Sequence, residues 1–112
     1  MREVFQIEEI ENCINQSDIA LVYFTGSSCI ACEVIRSKLE KMIASYSELV
    51  AVFINAEKHP AVTGRFNILS VPQFFVYVYG KPTIHEGRNF DFMDFERKLN
   101  RYYEMVITKT ET

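Results

Sequence analysis

Two short unbroken apolar runs, IALVYF at 19–24 and LVAVFI at 49–54, stand out from the mixed sequence around them. Runs of this length, rich in β-branched and aromatic residues, suit strands buried on both faces of a sheet, so they predict central parallel strands. Between them Ile35, Leu39, Met42 and Ile43 recur at i, i+4, i+7 and i+8, with Arg36, Lys38, Glu40 and Lys41 on the other side. That spacing predicts an amphipathic helix whose apolar stripe covers the sheet, completing a β-α-β unit.

Further along, FFVYVY at 74–79, then Gly80-Lys81 and PTIHE, predicts a hairpin with Gly80 at the first central position of a two-residue loop. Pro82 has no N–H to give to a ladder, which puts the last strand at an edge. From Asp91 onward, Phe92, Phe95, Leu99 and Tyr102 or Tyr103 form a second stripe, with Asp94, Arg97, Lys98 and Arg101 opposite, and predict a C-terminal helix. Ile7, Ile10 and Ile14 predict a short N-terminal helix; residues 61–66 predict another, closed by Asn67, a residue that tolerates a left-handed cap. With a short first strand at 4–6, the order is β-α-β-α-β-α-β-β-α. The expected fold class is α/β with a mixed sheet, residues 1–106 forming one domain and 107–112 a short polar tail.

Composition then narrows the function by exclusion. With 48% hydrophobic and 24% charged residues, the chain reads as an ordinary soluble domain. Its 112 residues suffice to bury roughly two thirds of the unfolded surface, so a core forms without staples. A net charge of -3 without any Lys/Arg cluster argues against a nucleic-acid surface or an anionic-membrane anchor. MREVFQIEEIENC carries acids where an export signal needs a basic region and a long apolar stretch, and no apolar run is long enough to span a bilayer. The expected address is cytoplasmic and the expected state a monomer. In that reducing compartment a close cysteine pair is more often catalytic or metal-binding than structural.

The pair lies in GSSCIACEVIRS, residues 26–37. Cys29 follows the strand at 19–24 and the helix begins almost at once, so Cys29 and Cys32 occupy a strand-to-helix junction. Unpaired N–H groups and the helix dipole there favour a thiolate. Three-residue spacing puts both side chains on one face of the first turn, within reach of a disulfide. Two other readings compete: two small core residues, and half of a metal site. Gly26, Ser27 and Ser28 read as an exposed loop and cap, which weighs against the first. Structural zinc needs four ligands, and His59 and His85 lie far off on what read as a loop and an edge strand, which weighs against the second. Cys13, beside Ile10 and Ile14, reads as a packing residue.

LVYFTGSSCIAC, the amphipathic helix, FINAEKHP, FNILSVPQFFVYVYGK and the late Gly87 together resemble the thioredoxin family over about residues 4–103. The resemblance implies a thioredoxin fold, a central mixed β-sheet flanked by helices on both faces, and exchange of disulfides with proteins. It assigns Cys29 as nucleophile and Cys32 as resolving thiol, and places Val71-Pro72 at the cis-proline loop. It implies substrate contacts at Ser28, Ile30, Ala31, Val71 and Pro72. It further implies a redox-active Cys29–Cys32 disulfide with no bound cofactor or metal, disulfide-containing proteins as substrates, and a thioredoxin reductase as electron donor. Several positions depart from the family pattern. Ser28-Cys29-Ile30-Ala31-Cys32 replaces Trp-Cys-Gly-Pro-Cys; Tyr23 stands where the family has a buried acid, and Phe53 where it has that acid's lysine partner. Ser37 replaces a helix-kinking proline, so a straighter helix is expected. Glu33 replaces a frequent basic residue and opposes thiolate formation somewhat. The leading expectation is a protein-disulfide reductase. A thioredoxin-fold binding module with little turnover, and a disulfide oxidase or isomerase, are the alternatives.

Overall fold

Every residue of IALVYFT is buried, and the strand it forms lies at the centre of the sheet. The computed structural model describes residues 1–111. Its elements are β1 (Arg2–Glu3), α1 (Ile7–Gln16), β2 (Ile19–Thr25), α2 (Ile30–Ile43), β3 (Val50–Asn55), α3 (Pro60–Phe66), β4 (Gln73–Val78), β5 (Lys81–Gly87) and α4 (Phe92–Glu111). The sheet order is β1-β3-β2-β4-β5, with β1, β3 and β2 parallel and β4 and β5 antiparallel to their neighbours.

Alternation along β2 divides the core in two. Ile19, Leu21 and Tyr23 face α2 and α4, packing on Ile35, Leu39, Met42, Phe95, Leu99 and Tyr103. Ala20, Val22 and Phe24 face α1 and α3, packing on Ile10, Cys13, Ile14 and Val62. Burying each large aliphatic or phenylalanine side chain contributes about 1.5–3 kcal/mol, so both helical layers are held by their apolar stripes. Cys13 packs as expected, and burial pushes its thiol pKa up, which leaves it inert.

Three local details differ from the pattern-based expectation. The first strand is Arg2–Glu3 rather than 4–6. Val4 still donates its N–H to the Phe53 carbonyl at 2.9 Å, but the Phe5 N–H goes to the Glu9 carboxylate at 2.9 Å, which turns the chain out of the ladder and into α1. The hairpin turns on Tyr79-Gly80, not Gly80-Lys81: Val78 pairs with Lys81, and Tyr79 and Gly80 both have positive φ, 50° and 81°. Gly80 thus takes the second central position, and the Tyr79 N–H is drawn to the Asp18 carbonyl at 2.8 Å, which ends β4 at Val78. Finally, α4 continues to Glu111, through residues expected as a polar tail. Val106 is buried and Ile107 packs beside it, extending the stripe of Phe95, Leu99 and Tyr103 by a turn. Thr112 lies outside the described residues. Pro82 sits on the edge strand β5 as expected, and Asn67 closes α3 with φ 57° and ψ 45°.

Candidate active site

The carboxyl end of β2 delivers the chain into a short loop, Gly26-Ser27-Ser28, and α2 begins directly after Cys29. Cys29 is the N-cap of α2, in extended conformation, and its Sγ accepts the Cys32 N–H at 3.2 Å. That bond satisfies one of the orphan donors of the helix and aims it at the sulfur. Cys29 and Cys32 are disulfide-bonded, with Cα atoms 5.2 Å apart. Cys29 is half-buried and Cys32 has no exposed surface, so one residue of the pair is reachable from solvent and the other is not. Ile30 stands almost fully exposed beside them, and Ala31 is half-buried.

Two further loops converge on this one. Gln73, the first residue of β4, pairs with Phe24, which brings the preceding Val71-Pro72 alongside Gly26. The Val71–Pro72 peptide bond is cis. A Cβ added to Gly26 would lie 2.8 Å from Val71 Cγ2 and closer still to Glu57 Oε1, so any side chain there would have to displace both neighbours. Glu57 accepts the Ser27 N–H at 3.1 Å, and Asn55 Nδ2 donates to Ser27 Oγ at 3.1 Å while its Oδ1 accepts the Lys58 N–H at 3.1 Å. The cysteine loop is thereby tied to the end of β3. A groove of about 680 Å³ runs on from Val71-Pro72, lined by Ser70, Gln73, Glu86 and Arg88 among others. On its wall His85 stacks on Phe75 at 4.1 Å and hydrogen-bonds Gln73 at 2.8 Å.

Beneath Cys32 the surroundings are apolar. Tyr23 is fully buried against Phe74, and its hydroxyl donates to the Cys32 carbonyl at 2.6 Å. Burial pushes the phenol pKa well above its ordinary value, so it stays neutral throughout the physiological range. Phe53 pairs with Tyr23 on the neighbouring strand, and the Arg36 guanidinium lies over its ring at 4.6 Å, held by Glu33 at 2.9 Å. Among the described residues no acidic side chain is buried, and no three His, Cys, Asp or Glu side chains gather where they could hold a metal ion. Of the residues the sequence picked out, Ser28 to Cys32 run from the loop into the first turn of α2, and Val71-Pro72 lie beside Gly26 at the start of that same loop. The sequence did not pick out Glu57, Asn55 or the close approach at Gly26. A glycine just past a buried strand was the one available signal.

Compared with known proteins, residues 3–100 match the family model described as Thioredoxin. The chain belongs to the thioredoxin family. Within that family it is 27% identical over 105 residues to thioredoxin-like protein YdfQ of Bacillus subtilis (strain 168), covering 94% of each chain. Against Thioredoxin 1 of Plasmodium falciparum it is 29% identical over 72 residues, 64% of this chain and 69% of the relative. A thioredoxin mutant from Halobacterium salinarum superposes with a TM-score of 0.79 at 16% identity, covering 91% of this chain and 89% of that one. Thioredoxin from Fasciola hepatica superposes equally well, with a TM-score of 0.79 at 17% identity over 91% and 99% of the two chains. The thioredoxin fold, family membership and the bonded pair make this a thiol-disulfide oxidoreductase whose redox group is the Cys29–Cys32 disulfide itself.

Proposed function

We propose that this oxidoreductase works as a protein-disulfide reductase. The observation that carries the reading is the asymmetry of the pair: a half-exposed Cys29 at a helix N-cap and a wholly buried Cys32 behind it. The reduced protein starts as a dithiol. The Cys29 thiolate attacks one sulfur of a substrate disulfide, forming a mixed disulfide and expelling the other substrate sulfur as a thiolate. Cys32, deprotonated, then attacks Cys29 Sγ, closing the Cys29–Cys32 disulfide and releasing the second substrate thiol. Two electrons pass from the dithiol to the substrate. The Cys32 N–H that points at Cys29 Sγ stabilises negative charge on the attacking sulfur.

In this reading Ser28, Ile30, Ala31, Val71 and Pro72 receive the substrate, an extended segment of a disulfide-containing protein. The reduced pair is regenerated by a thioredoxin reductase drawing on NADPH, and the setting is the cytoplasm. The test is turnover of insulin disulfides with NADPH and thioredoxin reductase: sustained NADPH consumption supports the reading, and none at all removes it. Equilibration with glutathione then reports direction, because a strongly oxidising pair would make the protein a disulfide oxidase or isomerase. A binding module with little turnover is favoured by one observation, the almost fully exposed apolar pair Ile30 and Leu69 flanking the site loops. A binder retains its partner after both cysteines become serine; a reductase loses turnover with either change.

A further inference from the structure

Cys32 is held at both its backbone N–H and its backbone carbonyl. Its N–H points at Cys29 Sγ, and its carbonyl accepts the Tyr23 hydroxyl at 2.6 Å. The two residues lie nine apart in sequence and on different elements, β2 and α2, so the bond crosses from the sheet to the first turn of the helix. The surrounding contacts between these elements are apolar: Tyr23, Ile35, Leu39 and Phe74 share one buried cluster. Apolar packing is non-directional and singles out no one backbone group of the helix. A short O–H···O bond fixes distance and direction. A buried phenol also needs a partner, because leaving it unsatisfied costs about 1–3 kcal/mol. The hydroxyl therefore pins the first turn of α2 at the residue bearing the resolving thiol.

We propose that Tyr23 is the positioning residue for Cys32: through the carbonyl bond it sets where Cys32 Sγ stands relative to Cys29 Sγ, and so governs resolution without taking part in attack. It acts through the Cys32 backbone, and its hydroxyl makes no hydrogen bond to either reacting sulfur. It is not the proton acceptor either, since a phenol held neutral by burial has no basic oxygen to offer at physiological pH. Its proton stays on the hydroxyl in both steps, and the Cys32 proton leaves to solvent. The inference rests on the exchange chemistry of the pair and holds whether the protein reduces or oxidises its substrates.

The test uses the full chain, reduced, and the aromatic disulfide dithiobisnitrobenzoate. Attack by Cys29 releases one thionitrobenzoate and leaves a mixed disulfide; resolution by Cys32 forms the internal disulfide and releases the second, so stopped-flow absorbance reads each step. Tyr23→Phe keeps the ring and its packing. It is expected to leave the first phase within twofold of wild type and to slow the second about fivefold, the equivalent of one net hydrogen bond. The pH midpoint of the second phase stays put. Tyr77→Phe, which removes the hydroxyl of a tyrosine packed on the opposite face of the sheet, changes neither phase. Equilibration with glutathione is an independent measure: the internal disulfide of Tyr23→Phe is expected to be about fivefold less favoured. An unchanged second phase, equal slowing of both phases, or a shifted pH midpoint each overturns the proposal. So does an unchanged glutathione equilibrium.

Discussion

The two cysteines of the pair stand three residues apart and meet opposite environments. The loop that leads into Cys29 is tied by polar contacts, Ser27 bound to Glu57 and Asn55. Cys32 is wholly buried one turn on, between a strand and a helix whose side chains Tyr23, Ile35 and Leu39 share an apolar cluster, with one phenol as the polar tie to its carbonyl. A nucleophile needs access to its substrate and a medium that tolerates charge. A resolving thiol needs to be kept from foreign partners and held within reach of one sulfur. One helical turn between solvent and core meets both needs, because successive residues at a helix start face such different surroundings.

The comparison is broken most completely by removing either sulfur. Cys29→Ser is expected to abolish turnover and to trap no substrate, whereas Cys32→Ser is expected to accumulate a mixed disulfide through Cys29, visible as a mass increase under non-reducing conditions. Equal trapping by both variants would mean that the two sides are not functionally distinct.

A smaller effect is expected where the loops meet. Gly26→Ala forces a methyl group against Glu57 and Val71 and is expected to destabilise the fold by about 1–3 kcal/mol, measured by urea denaturation. Glu57→Ala only removes the acceptor for an exposed N–H that water can serve, so its cost is expected to be about 1 kcal/mol or less. If Glu57→Ala proved the more damaging, the polar side would be held by that carboxylate rather than by close packing.

A last effect, confined to alkaline pH, belongs to the ionisation of the phenols. Burial raises the pKa of Tyr23, and likewise of Tyr77 and Tyr46, above the unfolded value. Their neutral forms therefore contribute stability that is fully present below about pH 10 and is lost as pH rises through the higher folded values. Tyr23→Phe is expected to flatten this alkaline decline in thermal melts while leaving the acid side unchanged.

Much of this arrangement was legible along the chain. The runs at 19–24 and 49–54, the stripe from Ile35 to Ile43 and the spacing of Cys29 and Cys32 are local patterns, and each formed the element that its periodicity predicts. Errors fell at element ends. Whether the Phe5 N–H stays in the ladder depends on Glu9, and where β4 stops depends on Asp18, a residue far off in sequence. At the site, residue type and spacing marked Cys29 and Cys32 as a candidate redox pair, the family resemblance assigned their roles, and the absence of charge at Tyr23 and Phe53 was plain. What Tyr23 does instead was not.

By itself the sequence determined an α/β domain, its sheet and helices, and a close cysteine pair at a strand-to-helix junction, because periodicity, residue type and short spacing are properties of neighbours in the chain; the family was read from resemblance. Only the tertiary structure decided which partner the Tyr23 hydroxyl finds, which side chains crowd Gly26 and how Glu57 and Asn55 hold the cysteine loop. Those contacts join residues 9 to 45 positions apart, through Cys32, Glu57 and Val71, and they exist only once helix and loops have packed on the sheet. A buried hydroxyl gains stability wherever packing happens to place an acceptor, and no pattern in the chain names that acceptor in advance.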